Sequence, residues 1–461
     1  MVLIKSVSGI RGTINKTSEE NLNPFNVLKF ITIYAFYLKN ISTDPSVILG
    51  RDGRVSGPHI SKIISIRLNE MGINVINIGL TATPTLGLYV SFKKATGGIM
   101  ISASHNNIEW NALKFFNNKG EFLTKEESDN IINSKIDLKN YSIVNKSVAI
   151  KLANDAVNFH INSILELKEV TVEKIKRKKI KVVLDGINSS GGHIIPKLLK
   201  VLNVSVVKIN CVPNGIFDHN PEPSPENLFK LSRAVISENA DFGIAIDPDV
   251  DRLVFVCEDG SFFGEENTII AIGNYVLSKL KGSTVSNLSS SNGLRDITLK
   301  RNLKHYYSPV GESNVIKVMK EKQSIFGGEG SGGVIFPKLH FGRDALVGIA
   351  LFLSYFSELN LSCKEIKNKL PSYFMFKDKI TLPNKFNFNK LIDLVKSDLK
   401  NNNDVDFIFL DGMRVNYSCG SWIHIRKSNT EPIIRFIIES KSKKKIEELK
   451  DFINLYIKKL L

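Results

Sequence analysis

Three similar α/β domains with mixed sheets, followed by a C-terminal α+β domain, are what this sequence predicts, on three observations. An order of strand, glycine-rich loop, helix and strand recurs three times. Strands separated by helices of about 10–15 residues form right-handed parallel βαβ units. Beyond about residue 370 the pattern changes to closely spaced strands and a Lys/Glu-rich helix, which suits an antiparallel sheet. The length, 461 residues, exceeds what one core supports and fits three or four domains. The expected division is 1–152, 153–257, 258–369 and 370–461.

In the first repeat Val47-Ile48-Leu49 leads into Gly50-Arg51-Asp52-Gly53. The helix that follows carries Ile60, Ile63, Ile64, Leu68 and Met71 on one face and ends at Gly72, before a strand at Val75–Ile78. In the second, Ile180–Leu184 precedes Asp185-Gly186, a loop over 188–192, a helix through Leu198 and Leu199, and a strand at 204–209. In the third, Thr284–Leu288 precedes Ser289-Ser290-Ser291-Asn292-Gly293, a helix from Leu294 and a strand near Tyr306. The last domain has strands at 414–417, 422–426 and 433–439.

Composition excludes several classes. The chain is 43% hydrophobic and 23% charged, as soluble globular proteins are. Its longest apolar-rich stretch, Val27 to Leu38, is broken by Lys29 and Thr32, far short of the ~20 residues that span a bilayer. The N-terminal residues lack the zones of a secretory signal, and Cys211, Cys257, Cys363 and Cys419 are too scattered for a metal pair or a disulfide framework. A cytoplasmic location with no membrane partner is expected. The net charge of +16 is spread along the whole chain, which fits solvated surface charge and no nucleic-acid partner. An anionic substrate would gain from the same field.

Four segments carry chemistry. Ser102-Ala103-Ser104-His105-Asn106-Asn107, with Asn111-Ala112-Leu113-Lys114 beyond, follows the apolar strand Gly98–Ile101. Open α/β sheets bind ligands at such strand ends. Ser104, beside His105 and ten residues before Lys114, has the parts of an activated hydroxyl nucleophile. Taken alone, the spacing suits a polar turn, with Ser and Asn side chains capping the backbone, better than a nucleophile. Asp247-Pro248-Asp249-Val250-Asp251-Arg252 closes the strand Phe242–Ile246 and shifts that balance. At about 5.5 Å and an effective dielectric near 20, each pair of carboxylates repels by roughly 3 kcal/mol. A hard divalent cation relieves this, and all-oxygen ligands suit Mg²⁺ better than Zn²⁺. An acidic surface turn is the alternative, but solvated turns rarely follow so apolar a strand.

Gly327-Gly328-Glu329-Gly330-Ser331-Gly332-Gly333 allows close backbone approach, with Glu329 and Ser331 as acceptor and donor for hydroxyl groups. It lacks the Gly-Lys-Ser/Thr ending of a P-loop, and a flexible glycine turn explains it equally well. Arg426-Lys427-Ser428-Asn429-Thr430-Glu431-Pro432, with Arg435 beyond, gathers guanidinium, hydroxyl and amide donors into a phosphate cradle; a basic hairpin loop is the alternative. Two further Gly-Arg segments, Ser8-Gly9-Ile10-Arg11-Gly12 and Arg51–Gly57, read as structural turns, the second more so.

These motifs, in this order and over the full length, resemble the α-D-phosphohexomutase superfamily of phosphoglucomutases, phosphomannomutases and phosphoglucosamine mutases. The resemblance implies four domains around one central cleft. It also implies phosphoryl transfer between two positions of a hexose phosphate through a sugar 1,6-bisphosphate. Ser104 would be the phosphorylated serine, binding one Mg²⁺ together with Asp247, Asp249 and Asp251. Arg11 and Arg252 would lie at the reacting phosphate, with His105 beside the serine and Lys114 in proton transfer. Glu329 and Ser331 would bind the sugar; Arg426, Ser428, Asn429, Thr430 and Arg435 would serve the non-reacting phosphate. The expected partner is a small hexose phosphate, and the expected state a monomer or homodimer.

Departures bear on the sugar. Gly333 stands where several relatives have His, Glu312 where many mannose and glucose enzymes have His, and Asn107 where Pro is usual. Phe217–Pro223 resembles the mannose/glucose branch, whereas Gly327–Gly333 with Arg426–Pro432 resembles archaeal-type phosphoglucosamine mutases. The favoured pair is glucosamine 6-phosphate and glucosamine 1-phosphate, with mannose or glucose phosphates as alternative. A catalytically idle sugar-phosphate binder is the reading from another class, and it would not need Ser104 with all three aspartates.

Overall fold

Alternation along the central strands decides the layering. In the computed structural model, which describes residues 3–14, 20–134, 148–381, 386–400, 402–428 and 433–460, the strands Ser46–Arg51 and Gly97–Ile101 lie side by side and parallel. Val47, Leu49, Ile99 and Ile101 point into one core with Phe30, Ile31, Ile60, Ile64 and Leu68, from the helices Pro24–Ile41 and Gly57–Glu70. Ile48 and Met100 point the other way, onto Leu86, Tyr89 and Val90 of the helix Thr83–Lys93. A sheet covered on both faces needs such nearly continuous apolar strands.

The described residues form two compact units, Met1–Leu280 with Ser331–Lys367, and Lys281–Gly330 with Asn368–Leu461. In the first, one seven-stranded sheet runs in the order Ile4–Ser6, Gly9–Thr13, Trp110–Phe116, Gly97–Ile101, Ser46–Arg51, Asn74–Leu80, Ile150–Leu152. Its centre is parallel, as the βαβ pattern predicts, and the strand Trp110–Phe116 makes it mixed by pairing antiparallel with Gly97–Ile101. The second sheet has the order Leu253–Cys257, Phe242–Ile246, Lys181–Asp185, Ser205–Ile209, antiparallel at the first pair and parallel beyond. The strands Gly97–Ile101 and Phe242–Ile246 are buried throughout, and the two chemistry-bearing loops begin where they end.

In the second unit the strands His305–Ser308, Thr284–Asn287 and Phe326–Glu329 lie parallel in that order. A five-stranded antiparallel sheet follows, in the order Phe374–Thr381, Ile433–Ser440, Trp422–Lys427, Met413–Tyr417, Val405–Ile408. The helices Phe388–Leu399 and Lys443–Leu460 cover it through Leu391, Val395, Ile446, Leu449 and Ile453. No helix among the described residues is long and apolar enough to cross a membrane.

Candidate active site

Ser104 sits in the left-handed region at φ +49°, an uncommon place for a residue with a Cβ, and its surroundings hold it there. Its amide donates to Ser102 Oγ at 2.9 Å, and Ser102 Oγ donates to Asp52 Oδ2 at 2.7 Å. Asp52 pairs with Arg54 at 3.1 Å, both groups being buried. Arg54 in turn donates to four loop carbonyls: Ser104 (2.7 Å), Asn106 (2.6 Å), Asn107 (2.7 Å) and Trp110 (2.8 Å). The Arg51–Gly57 segment is thus the structural turn its sequence suggests, and the serine loop is moulded on its second arginine. Burial pushes the Asp52 carboxyl up, against the pull of Arg54.

The strand Phe242–Ile246 delivers Asp247, Asp249 and Asp251, all fully buried. Asp247 Oδ1 accepts the amides of Asp251 (3.0 Å) and Arg252 (3.1 Å), and its Oδ2 accepts Ser104 Oγ at 2.6 Å. Asp249 Oδ2 accepts Lys114 Nζ at 2.6 Å and the Thr83 hydroxyl. Asp251 Oδ2 accepts Arg343 Nη2 at 2.6 Å. Ser189 ties this loop to the Arg54 turn, donating to Pro248 O at 2.7 Å and accepting from Gly53 N at 2.9 Å.

One carboxylate oxygen from each aspartate falls within a 4.8 Å cluster. Asp249 Oδ1 and Asp251 Oδ1 are buried with no hydrogen-bond partner among the described residues. Each such oxygen costs on the order of 1–3 kcal/mol or more unless something binds it, and a hard divalent cation is the group this donor set fits. Burial and the neighbouring Asp251 and Asp249 raise the Asp247 carboxyl well above its ordinary range. For Asp249 burial pushes the same way, but Lys114, Thr83 and Asp247 together outweigh it, so the net shift is downward.

Around Ser104 stand the other residues expected there. Arg11 lies on the strand Gly9–Thr13, paired with the strand that carries Lys114, and donates to Asn106 Oδ1 at 2.5 Å. His105 Nδ1 is 3.3 Å from Ser104 Oγ, and its Nε2 is 3.5 Å from Glu222 Oε2. Desolvation, then the cations of Arg252, Arg11, Arg343 and Lys114, hold this imidazole well below its usual pKa. Arg252 is bound to Glu222. A second group of metal-type donors, His160, His340 and Asp344, is already hydrogen-bonded within itself. Both imidazole Nε2 atoms meet Asp344 Oδ2, at 2.8 and 3.1 Å, and Asp344 Oδ1 caps the helix Ala345–Glu358. That arrangement braces the helix.

The second unit carries Glu329, Arg426, Ser428 and Arg435. Glu329 Oε1 accepts Asn287 Nδ2 at 2.8 Å and the Gly311 amide at 2.9 Å, so its carboxylate is pinned before any ligand arrives. Arg426 and Arg435 are direct cross-strand partners. Burial lowers the Arg426 guanidinium, opposed by Asp411 and Glu329 and reinforced by Arg435. Ser428 is buried beside them in sequence, while Asn429 and Thr430 lie outside the described residues. Ser331, half-buried, belongs to the first unit.

Four family models match in chain order: phosphoglucomutase/phosphomannomutase alpha/beta/alpha domains I (3–141), II (158–260) and III (265–374), and the C-terminal domain (379–455). The chain belongs to this family. It therefore comprises three similar α/β domains and a C-terminal α+β domain, and it is an isomerase of the α-D-phosphohexomutase superfamily with phosphoryl-transfer chemistry. It is 32% identical to a phosphoglucomutase/phosphomannomutase of Thermococcus kodakarensis, over 95% of each chain. It is 29% identical to a phosphoglucosamine mutase of Aliarcobacter butzleri, over 98% of each. A crystal structure of a phosphoglucomutase/phosphomannomutase family protein from Burkholderia thailandensis shares the fold, with a TM-score of 0.84 and 22% identity, over 99% of this chain and 98% of that one.

Replacing Arg54 removes the cation that Asp52 and four loop carbonyls share. Arg54→Met is expected to lower stability by about 3–5 kcal/mol, because a buried carboxylate loses its partner. The check is urea unfolding: the midpoint falls, and Asp52→Asn in the same chain recovers part of the loss. An Arg54→Met protein as stable and active as wild type would contradict this role.

Proposed function

We propose that this enzyme moves a phosphoryl group between O6 and O1 of a hexose phosphate through a phosphoserine at Ser104. The observation that carries the reading is Ser104 Oγ, 2.6 Å from Asp247 in a buried three-aspartate cluster with two unpartnered oxygens. In the first half-reaction the Oγ–P bond of phosphoserine breaks and a P–O bond forms to the free hydroxyl of the substrate. The hydroxyl proton leaves to a nearby base. His105 is close to Ser104 Oγ with its pKa held down by desolvation and nearby cations, and Lys114 pairs with Asp249 of the aspartate loop, so these are the groups assigned to hold and return it. The sugar 1,6-bisphosphate then turns around, and its other phosphate returns to Ser104. Mg²⁺ held by Asp247, Asp249 and Asp251 would supply charge neutralisation for the transferring group. Arg11 and Arg252 orient the reacting phosphate, and Arg426, Ser428 and Arg435 hold the other one.

For the sugar we favour glucosamine 6-phosphate and glucosamine 1-phosphate. Glu312 opens the helix Glu312–Glu321 directly after Gly311, whose amide binds Glu329, so a second carboxylate starts beside the sugar-loop glutamate. A carboxylate there favours a 2-ammonium group over a neutral hydroxyl. The second reading, mannose or glucose phosphates, rests on the Phe217–Pro223 segment, and the relatives named for both types are similarly close.

Ser104→Ala should show no net isomerisation, and the mass of purified wild type should include a fraction heavier by about one phosphate, absent from the variant. Ser102, the nearest rival, already donates to Asp52. Retained turnover in Ser104→Ala would end the phosphoserine reading.

Arg426→Ala should raise KM about ten- to a hundred-fold with a smaller change in kcat, the cost of one charge-assisted contact made in ground and transition state alike. Steady-state kinetics with an unaltered KM would exclude this strand end from phosphate binding.

The sugar is read from kcat/KM for glucosamine, mannose and glucose phosphates in wild type and Glu312→Gln. The expected result is a preference for glucosamine phosphate that falls several-fold in the variant. A wild-type preference for mannose phosphate, or no selective loss, would point to the second reading.

A further inference from the structure

The third aspartate is held by a residue outside all the sequence motifs. Arg343 Nη2 lies 2.6 Å from Asp251 Oδ2, with the arginine side chain 12% exposed and the aspartate fully buried. Its stem rests on Gly333, the departure noted in the glycine-rich segment. A Cβ at Gly333 would stand 2.3 Å from Arg343 Cδ and 3.0 Å from Cγ, closer than such atoms approach. The backbone at Gly333 is not in the left-handed region, so what requires glycine there is room for the arginine.

The segment that presents Arg343 is anchored on both sides. Ile335 and Arg343 form a bridge, the Asp344 amide donates to Val334 O at 2.8 Å, and the Ala345 amide donates to Val250 O at 3.2 Å. Asp344, the next residue, is gripped by His160 and His340. The guanidinium is therefore a placed charge. Of the three carboxylates, Asp249 carries Lys114, Asp251 carries Arg343 with Lys114 farther off at 3.9 Å, and Asp247 faces a hydroxyl and two amides. With Oδ2 bound to Arg343, Asp251 keeps its other oxygen, Oδ1, buried and without a hydrogen-bond partner among the described residues.

We propose that Arg343 is a positioning residue that acts through Asp251: as a competing cation it weakens the hold of the three-aspartate loop on its divalent ion, with Gly333 making room for it. The proposal rests on the metal reading of that loop. A fixed positive charge one carboxylate away from a divalent ion opposes its binding, and it also keeps a buried carboxylate compensated when no ion is bound.

The test is Mn²⁺ binding, followed by the electron paramagnetic resonance signal of free Mn²⁺, in wild type, Arg343→Met, Arg343→Lys and Gly333→Ala. Melting temperature with and without Mn²⁺ is the second readout. Arg343→Met should bind Mn²⁺ at least about tenfold tighter, melt lower than wild type without divalent ions, and recover when Mn²⁺ is added. Arg343→Lys should stay within about threefold of wild type. Gly333→Ala, which pushes the guanidinium aside, should move toward Arg343→Met, and Gly333→Ala with Arg343→Met should be no tighter than Arg343→Met alone. If Arg343→Met does not fold, Gly333→Ala and Arg343→Lys decide. Wild-type Mn²⁺ binding with no tightening in Arg343→Met or Gly333→Ala overturns this proposal alone. Absence of wild-type binding that Asp249→Asn would abolish overturns the metal reading and this proposal with it.

Discussion

Asp247, Asp249 and Asp251 are withdrawn from water within five residues of chain, and no two of them can sit there charged without help. Their mutual repulsion, on the order of 3 kcal/mol per pair at an effective dielectric near 20, is the term that the neighbouring structure answers. Lys114 comes from the strand Trp110–Phe116 of the seven-stranded sheet, Arg343 from the turn before a helix, and two backbone amides from the loop's own curl. That curl places Val250 at φ +65°, a strained position for a β-branched residue, and the amide of Ala345 fastens its carbonyl. The sheet gives the loop a rigid base: Phe242–Ile246 is buried along its whole length and hydrogen-bonded on both edges.

The serine loop answers a different requirement with similar means. Ser104 is held at φ +49°, and its loop needs partners that no sheet ladder supplies. Its carbonyls converge instead on a single buried guanidinium, and Asp52 neutralises that charge. Order is thus imposed from beneath, while the hydroxyl itself meets Asp247 and His105.

What could be read from sequence follows from how local each interaction is. Ser104 and the three aspartates were legible because their chemistry is contiguous and follows strands whose apolar runs are plain. The partners of Arg54 and Arg343 were not, for these residues act across 50 and 92 positions, and Arg54, bound to main-chain carbonyls, leaves no side-chain pattern to find. Glu222, seen only as part of a branch-like segment, proves to be the partner of Arg252. The three inner strands of the last sheet were readable, whereas Phe374–Thr381 and Val405–Ile408 were not. Both are edge strands with half their surface in water, and Lys377-Asp378-Lys379 breaks the alternation that marks a strand.

The facing arginines of the last sheet have a thermodynamic consequence of their own. Arg426 and Arg435 are opposed on neighbouring strands, and like charges so placed weaken strand pairing. On the reading proposed above, in which this strand end holds a phosphate, a bound dianion would offset that repulsion. Ligation and folding are then linked functions of the same two side chains. Each factor of ten in free anion above its dissociation constant would then add about 1.4 kcal/mol to the stability of the folded sheet, so a charge pattern that recognised the ligand would also make the ligand part of the fold.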